Sequence, residues 1–105
     1  MLDQEQINDY REAKISSQKL FIDGKWIDGS GDDFDVISPI NGEKLTSIKR
    51  ATVSDMASAI KAARVSFDKG SWSNQTPAQR KKVLHKLADL IERDALELTV
   101  LGVRD

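Results

Sequence analysis

Cysteine is absent from this chain. With it go disulfides, thiolate nucleophiles and thiolate metal ligands. Histidine occurs once, as His85, so no His-based metal cluster can be assembled. No glycine-rich phosphate loop follows a strand and opens a helix, because Gly29-Ser30-Gly31 lacks the third glycine of a dinucleotide fingerprint and reads as a plain turn. No run approaches the roughly 20 apolar residues of a membrane-spanning helix. The start, Met1 to Tyr10, is polar and acidic, unlike a signal peptide, so a cytoplasmic location is the default expectation.

Charge of one sign is missing as well. Sixteen basic and seventeen acidic residues leave a net charge of −1, which supplies no field for a polyanion or an anionic bilayer. Nucleic acid and membrane are therefore not expected as partners. At 105 residues the chain is one domain or part of one. A compact chain of that size buries about 65% of the surface that its unfolded form exposes. Mean hydropathy is −0.46, ordinary for a soluble protein with 31% charged residues.

What is present is a change of period along the chain. Residues 1–17 carry a weak helical stripe (Ile7, Tyr10, Ala13) and read as a short helix or a disordered lead. Leu20-Phe21-Ile22 and Lys25-Trp26-Ile27 flank Asp23-Gly24, the signature of a tight hairpin. Phe34 to Ile37 is a further strand, stopped by Ser38-Pro39 because proline gives no amide hydrogen to a ladder. After the turn Asn41-Gly42, Lys44 to Arg50 reads as an edge strand with thinly spread apolar residues.

From Val53 the period is helical. Met56, Ala59, Ile60, Ala63 and Phe67 form one stripe, Thr52 or Ser54 caps the start, and Gly70 supplies the stop. Thr76-Pro77-Ala78-Gln79 then announces a second helix with a capping box and proline at its first position. Its apolar face is Val83, Leu84, Leu87, Leu90, Ile91, Leu98 and Leu101, with a kink expected near Arg93-Asp94. Two such faces need cover that the short strands scarcely offer, so part of the core is expected to lie outside these residues.

Candidate sites are few. His85, on a helix rich in lysine and arginine, reads as solvated or capping. Arg80-Lys81-Lys82 with Lys86, followed by Asp89, Glu92 and Asp94, reads as a charged solvent face. Trp26 and Trp72 sit in or beside loops and are expected to plug gaps between helix ends and sheet.

In order and spacing these pieces resemble the NAD(P)-dependent aldehyde dehydrogenases, from about residue 18 to 105. Leu20 to Trp26 looks like the family's opening hairpin, and Phe34 to Glu43 like its next strand and turn. Ala59, Ala62, Ala63 and Phe67 are similar to its first helix, and Trp72-Ser73, Pro77, Arg80, Leu84, Leu87, Ala88 and Ile91-Glu92 to its second. The blend looks closest to the branch that oxidises amino-aldehydes such as γ-glutamyl-aminobutyraldehyde.

The resemblance implies an α+β fold: short antiparallel strands followed by two amphipathic helices, forming the leading part of a Rossmann-like cofactor domain over 18–105. In the whole enzyme these helices would pack against the dinucleotide-binding sheet. It also implies a parent enzyme using NAD or NADP, a cysteine thiolate that forms a thiohemiacetal, and a glutamate as general base. None of these catalytic or cofactor-binding residues maps onto the chain, so the chain alone is expected to be inactive and to bind no cofactor. Many members hold a monovalent cation with strand-end carbonyls and an aspartate. The matching positions are Val36, Ile37 and Asp105.

Departures are Ser38, where the family usually has asparagine, and the ending Leu101-Gly102-Val103-Arg104-Asp105. Gly102 costs about 1 kcal/mol in a helix against alanine, and Arg104 is odd on what should be a packed face, so loosening is expected there. The implied partners are the rest of such an enzyme or a homologous subunit, together with self-association of the free chain. A non-catalytic interaction module, associating through exposed helical faces, is the alternative.

Overall fold

The computed structural model describes residues 3–105. Eight elements follow in order: α1 (Gln4–Glu12), β1 (Leu20–Ile22), β2 (Lys25–Ile27), β3 (Asp33–Ile37), β4 (Lys44–Lys49), α2 (Val53–Lys69), α3 (Pro77–Arg93) and α4 (Ala95–Arg104). The lead is thus a helix over most of its length, started by Asp3, whose carboxylate accepts from the Glu5 amide. Met1 and Leu2, the first residues of that lead, lie outside the described residues.

The strands form two separate antiparallel pairs. In β1–β2, Asp23 (φ 52°) and Gly24 (φ 72°) both take positive φ, as a type I′ hairpin turn requires. Phe21 pairs with Trp26 across the ladder, their ring centroids 4.9 Å apart. Strand alternation sets this aromatic pair opposite the half-buried Leu20, Ile22 and Ile27, so the rings cover each other and not the interior. Trp26 is 65% exposed and Trp72, in the α2–α3 turn, 43%. The expectation that both plug gaps in a core fails for that reason.

In β3–β4 the register runs Phe34↔Ile48 and Val36↔Thr46, then skips to Ile37↔Lys44. Leu45 is the extra residue of a bulge. The bulge shifts the alternation, so Leu45 joins Phe34, Val36, Thr46 and Ile48 along one groove. A strictly alternating strand would have set Leu45 and Ile48 on opposite faces, which is why the sequence alone shows its apolar residues as scattered.

The expected capping box forms at α3, and α2 is started by Thr52, not Ser54, in a second one. Thr52 accepts from the Asp55 amide at the start of α2, and Asp55 answers to the Thr52 amide. Thr76 and Gln79 do the same at α3, with Pro77 in the first turn. Gly70 ends α2 in the left-handed region at φ 72°. The long second helix does not kink but breaks. Asp94 (φ −101°, ψ 15°) closes α3 and opens α4, and its carboxylate receives two bonds from the Arg93 guanidinium at 2.8 and 2.7 Å. Nor does α4 loosen at Gly102, since it stays helical through Arg104.

Packing is sparse. α4 lies against α1, and Val100 between them is the only buried large apolar side chain among the described residues. Arg104, unexpected on a packed face, donates to the carbonyls of Tyr10 and Ala13 at 2.8 Å each and so closes the C-terminal end of α1. The α2 stripe of Met56, Ile60 and Phe67 stays exposed, while Ala59 and Ala62 are half-buried and line a shallow pocket with Phe21. The radius of gyration is 17.8 Å, against about 13 Å for a compact domain of this length. Accessible surface is 8652 Å², against about 5,900 Å² for a globular monomer of this mass. Among the described residues nothing covers either predicted helical face.

Candidate functional site

Three places gather polar chemistry. The first is a groove of about 580 Å³ between the β3–β4 face and the end of α4. Phe34, Val36, Leu45 and Ile48 line its apolar wall, and Arg104 and Asp105 stand at its rim. The structure therefore brings Val36 and Asp105 to one groove. Ile37, one step along β3, does not line it. Among the described residues no three His, Cys, Asp or Glu side chains cluster as a metal-binding group. A hard cation takes about six oxygens or more. The groove offers one carboxylate and the Val36 strand end, with the Arg104 guanidinium beside them. These residues fit a resident cation only in part.

The second place lies where the Gly29–Ser30–Gly31 loop meets α2. The Asp55 carboxylate accepts from the Ser30 amide (2.9 Å), the Ser30 hydroxyl (2.6 Å), the Thr52 amide (2.8 Å) and the Thr52 hydroxyl (3.2 Å). The Ser30 hydroxyl first, then the Ser30 and Thr52 amides, hold the Asp55 carboxyl well below the usual carboxylate range. The loop is also pinned to β4: the Gly31 amide donates to the Arg50 carbonyl at 2.9 Å, and a Cβ on Gly29 would lie 2.5 Å from that oxygen. Glycine is required here by close backbone approach. Because Asp55 already takes the Ser30 and Thr52 amides, the described loop does not offer them to a dinucleotide pyrophosphate.

The third place is the exposed side of α3, where His85 stands among Lys81, Lys82, Lys86 and Asp89. Among the described residues no metal-binding group includes the imidazole. On the β3–β4 surface away from the groove, the Ser47 hydroxyl and then the Lys44 ammonium (3.0 Å) lower the Asp35 carboxyl in turn.

Sequence reasoning placed Asp55 near a helix start and missed its bond to Ser30, 25 residues away. It likewise registered Arg104 as odd without connecting it to the helix offered for the lead. An uncompensated arginine beside an apolar face, with a free helix end elsewhere in the chain, was the available signal.

The family model for the aldehyde dehydrogenase family matches residues 26–105. The chain belongs to the aldehyde dehydrogenase family. It is 42% identical over 90 residues to betaine aldehyde dehydrogenase of Bacillus subtilis, which covers 85% of this chain and 18% of that protein. To aldehyde dehydrogenase 1A1 of Gallus gallus it is 39% identical over 97 residues, 90% of this chain and 19% of the relative. The chain thus spans about a fifth of the length of the relatives it matches. Indole-3-acetaldehyde dehydrogenase, solved in complex with NAD+, superposes with a TM-score of 0.89 at 30% identity over 99% of this chain and 21% of that one. The α+β arrangement of an aldehyde dehydrogenase segment, short antiparallel strands followed by helices, is accordingly the fold of this chain, with four helices where two had been expected.

Proposed function

We propose that these 105 residues serve as the leading scaffold of an NAD-dependent aldehyde dehydrogenase, whose reaction is oxidation of an aldehyde to a carboxylic acid. The observation that carries this reading is the 0.89 superposition over nearly the whole chain onto about a fifth of an NAD-bound relative. In this role the chain positions and does not react. A chain without cysteine offers no thiolate to attack an aldehyde. What it does offer is a pair of pinned hairpins and three capped helices, with apolar stripes for the rest of a dinucleotide-binding domain to cover. An amino-aldehyde is the substrate class we favour, supported by the identity to a betaine aldehyde dehydrogenase. The strand end at Val36 and Ile37, with Asp105, is the position we propose for a monovalent cation within that larger assembly.

A chimera tests the reading. Residues 18–105 replace the matching segment of the Bacillus subtilis betaine aldehyde dehydrogenase, and NADH formation from betaine aldehyde is followed at 340 nm. We expect the chimera to keep activity within about tenfold of its host, a loss of about 1.4 kcal/mol or less in transition-state binding, and the 105-residue chain alone to form no NADH. A soluble, folded chimera with no turnover would refute the scaffold reading, and so would NADH production by the free chain.

A further inference from the structure

The end of α4 stands beside the β3–β4 hairpin without packing on it. No Cα of α4 comes within 8 Å of β3 or β4. Among the described residues no hydrogen bond joins them either. α4 follows α3 and packs on α1. Its end therefore keeps its place beside the hairpin through residues 3–18, and not through a contact of its own.

Those residues have two limbs. The first is α1, whose half-buried Ile7 shares an apolar cleft with Leu96, Val100 and Val103 of α4. The second is the extended run 13–18, which crosses to the hairpin. Ile15 is the one residue among 11–19 that is not exposed, and it lines the groove with Phe34, Val36 and Leu45. Arg104 ties the limbs together. Its Nη1 donates to the Tyr10 carbonyl inside α1 and to the Ala13 carbonyl where the second limb begins, at 2.8 Å each. α1 has 9 residues, fewer than the roughly 12–15 that a helix needs to persist alone in water. Its folding and its docking on α4 are therefore one event, which gives two discrete arrangements and no graded series between them.

We propose that residues 3–18 are a strap, latched by Arg104, that holds the end of α4 beside the β3–β4 hairpin and sets the width of the groove between them. Released, α1 unwinds, α4 turns about its junction with α3 at Asp94, and Val36 and Asp105 part. The limbs lie in series, so loss of either one suffices. This goes beyond the scaffold reading. The chimera asks whether 18–105 can stand in for a relative's segment and the strap concerns a distance inside this chain, so either can fail alone.

Spin labels test the strap in this otherwise cysteine-free chain. One is carried by Lys49→Cys, exposed at the end of β4, and the other by Gly102→Cys, where an added Cβ meets nothing within 4 Å. Electron paramagnetic resonance reads the distance between them. With the strap docked the distribution should be one narrow peak. Arg104→Leu should widen it about twofold or more by freeing α1, and Ile15→Ser should do the same from the other limb. Together the two should widen it no further than either alone, as coupled steps in one path require. Arg104→Lys, still able to donate to both carbonyls, should keep the peak narrow. Circular dichroism shows whether α4 survives each change, and where Arg104→Leu unwinds it, Ile15→Ser, outside both helices, decides. An unchanged peak in either single variant, a parent distribution as wide as theirs, or widths that add in the double variant would overturn the proposal.

Discussion

Replacing glycine by alanine should have opposite effects at two positions of this chain, and what the new Cβ meets decides the sign. At Gly29 the new Cβ would stand 2.5 Å from the Arg50 carbonyl oxygen, 2.7 Å from that of Lys49 and 2.9 Å from the Arg50 carbonyl carbon. All three atoms are backbone, held by the β3–β4 ladder, and none can swing aside. Ordinary contact begins at 3.4 Å, so the loop must retreat by nearly 1 Å. That movement stretches the 2.9 Å bond from the Gly31 amide to Arg50 beyond useful length and pulls Ser30 from Asp55. Overpacking costs about 1–3 kcal/mol and a lost hydrogen bond about 1 kcal/mol, together about 2–4 kcal/mol. Gly102, by contrast, lies inside α4 with nothing within 4 Å of its would-be Cβ. Alanine there should stabilise by about 0.5–1 kcal/mol through helix propensity and a less flexible unfolded chain. Urea unfolding at one fixed protein concentration, followed by circular dichroism, reads both. Gly29→Ala should lower the midpoint by on the order of 1–2 M and Gly102→Ala should raise it slightly. Equal midpoints for the two variants would refute the close approach of this loop to β4.

Three further outcomes are expected. Arg104→Leu removes both bonds to the carbonyls of Tyr10 and Ala13, and at this partly exposed place the loss should be about 1–2 kcal/mol. Amides of α1 should then exchange several-fold faster while those of α2 do not change, and unchanged α1 protection would count against Arg104 as its cap. Asp55 titrates below its ordinary value when folded, so its stabilising effect is complete above about pH 4 and is lost as pH falls toward the lower folded value. Melting temperature should accordingly fall less steeply between pH 5 and 2.5 in Asp55→Asn than in the parent, and parallel curves would contradict the carboxylate clamp. Thr76→Ala deletes the cap of α3, with an expected cost of about 1 kcal/mol read as lost helicity, and a full-strength helical signal would argue against the capping box.

Local chemistry was the legible part. The hairpin turn at Asp23-Gly24, the cap at Thr52, the capping box at Thr76, the stop at Gly70 and the stripes on both helices all rest on neighbours within about four residues. Most of the order needed to resemble an aldehyde dehydrogenase came from those same pieces. Of the candidate cation positions, Val36 and Asp105 do share a groove, and Ile37 does not line it. What stayed hidden was long-range. A bulge at Leu45 depends on which residue of β3 faces it, and the Ser30–Asp55 bond spans 25 residues. Trp26 looked like a core residue because size and apolarity suggest burial, but strand pairing put it against Phe21 on the open face.

Sequence by itself determined the β1–β2 hairpin, the starts of α2 and α3 and the stop of α2, because caps, turns and apolar periodicity are settled between near neighbours. Only the tertiary structure decided which of those apolar faces are covered. Burial depends on which distant segments arrive, and here α1 and α4 meet over Val100 while α2 and α3 keep their stripes in water.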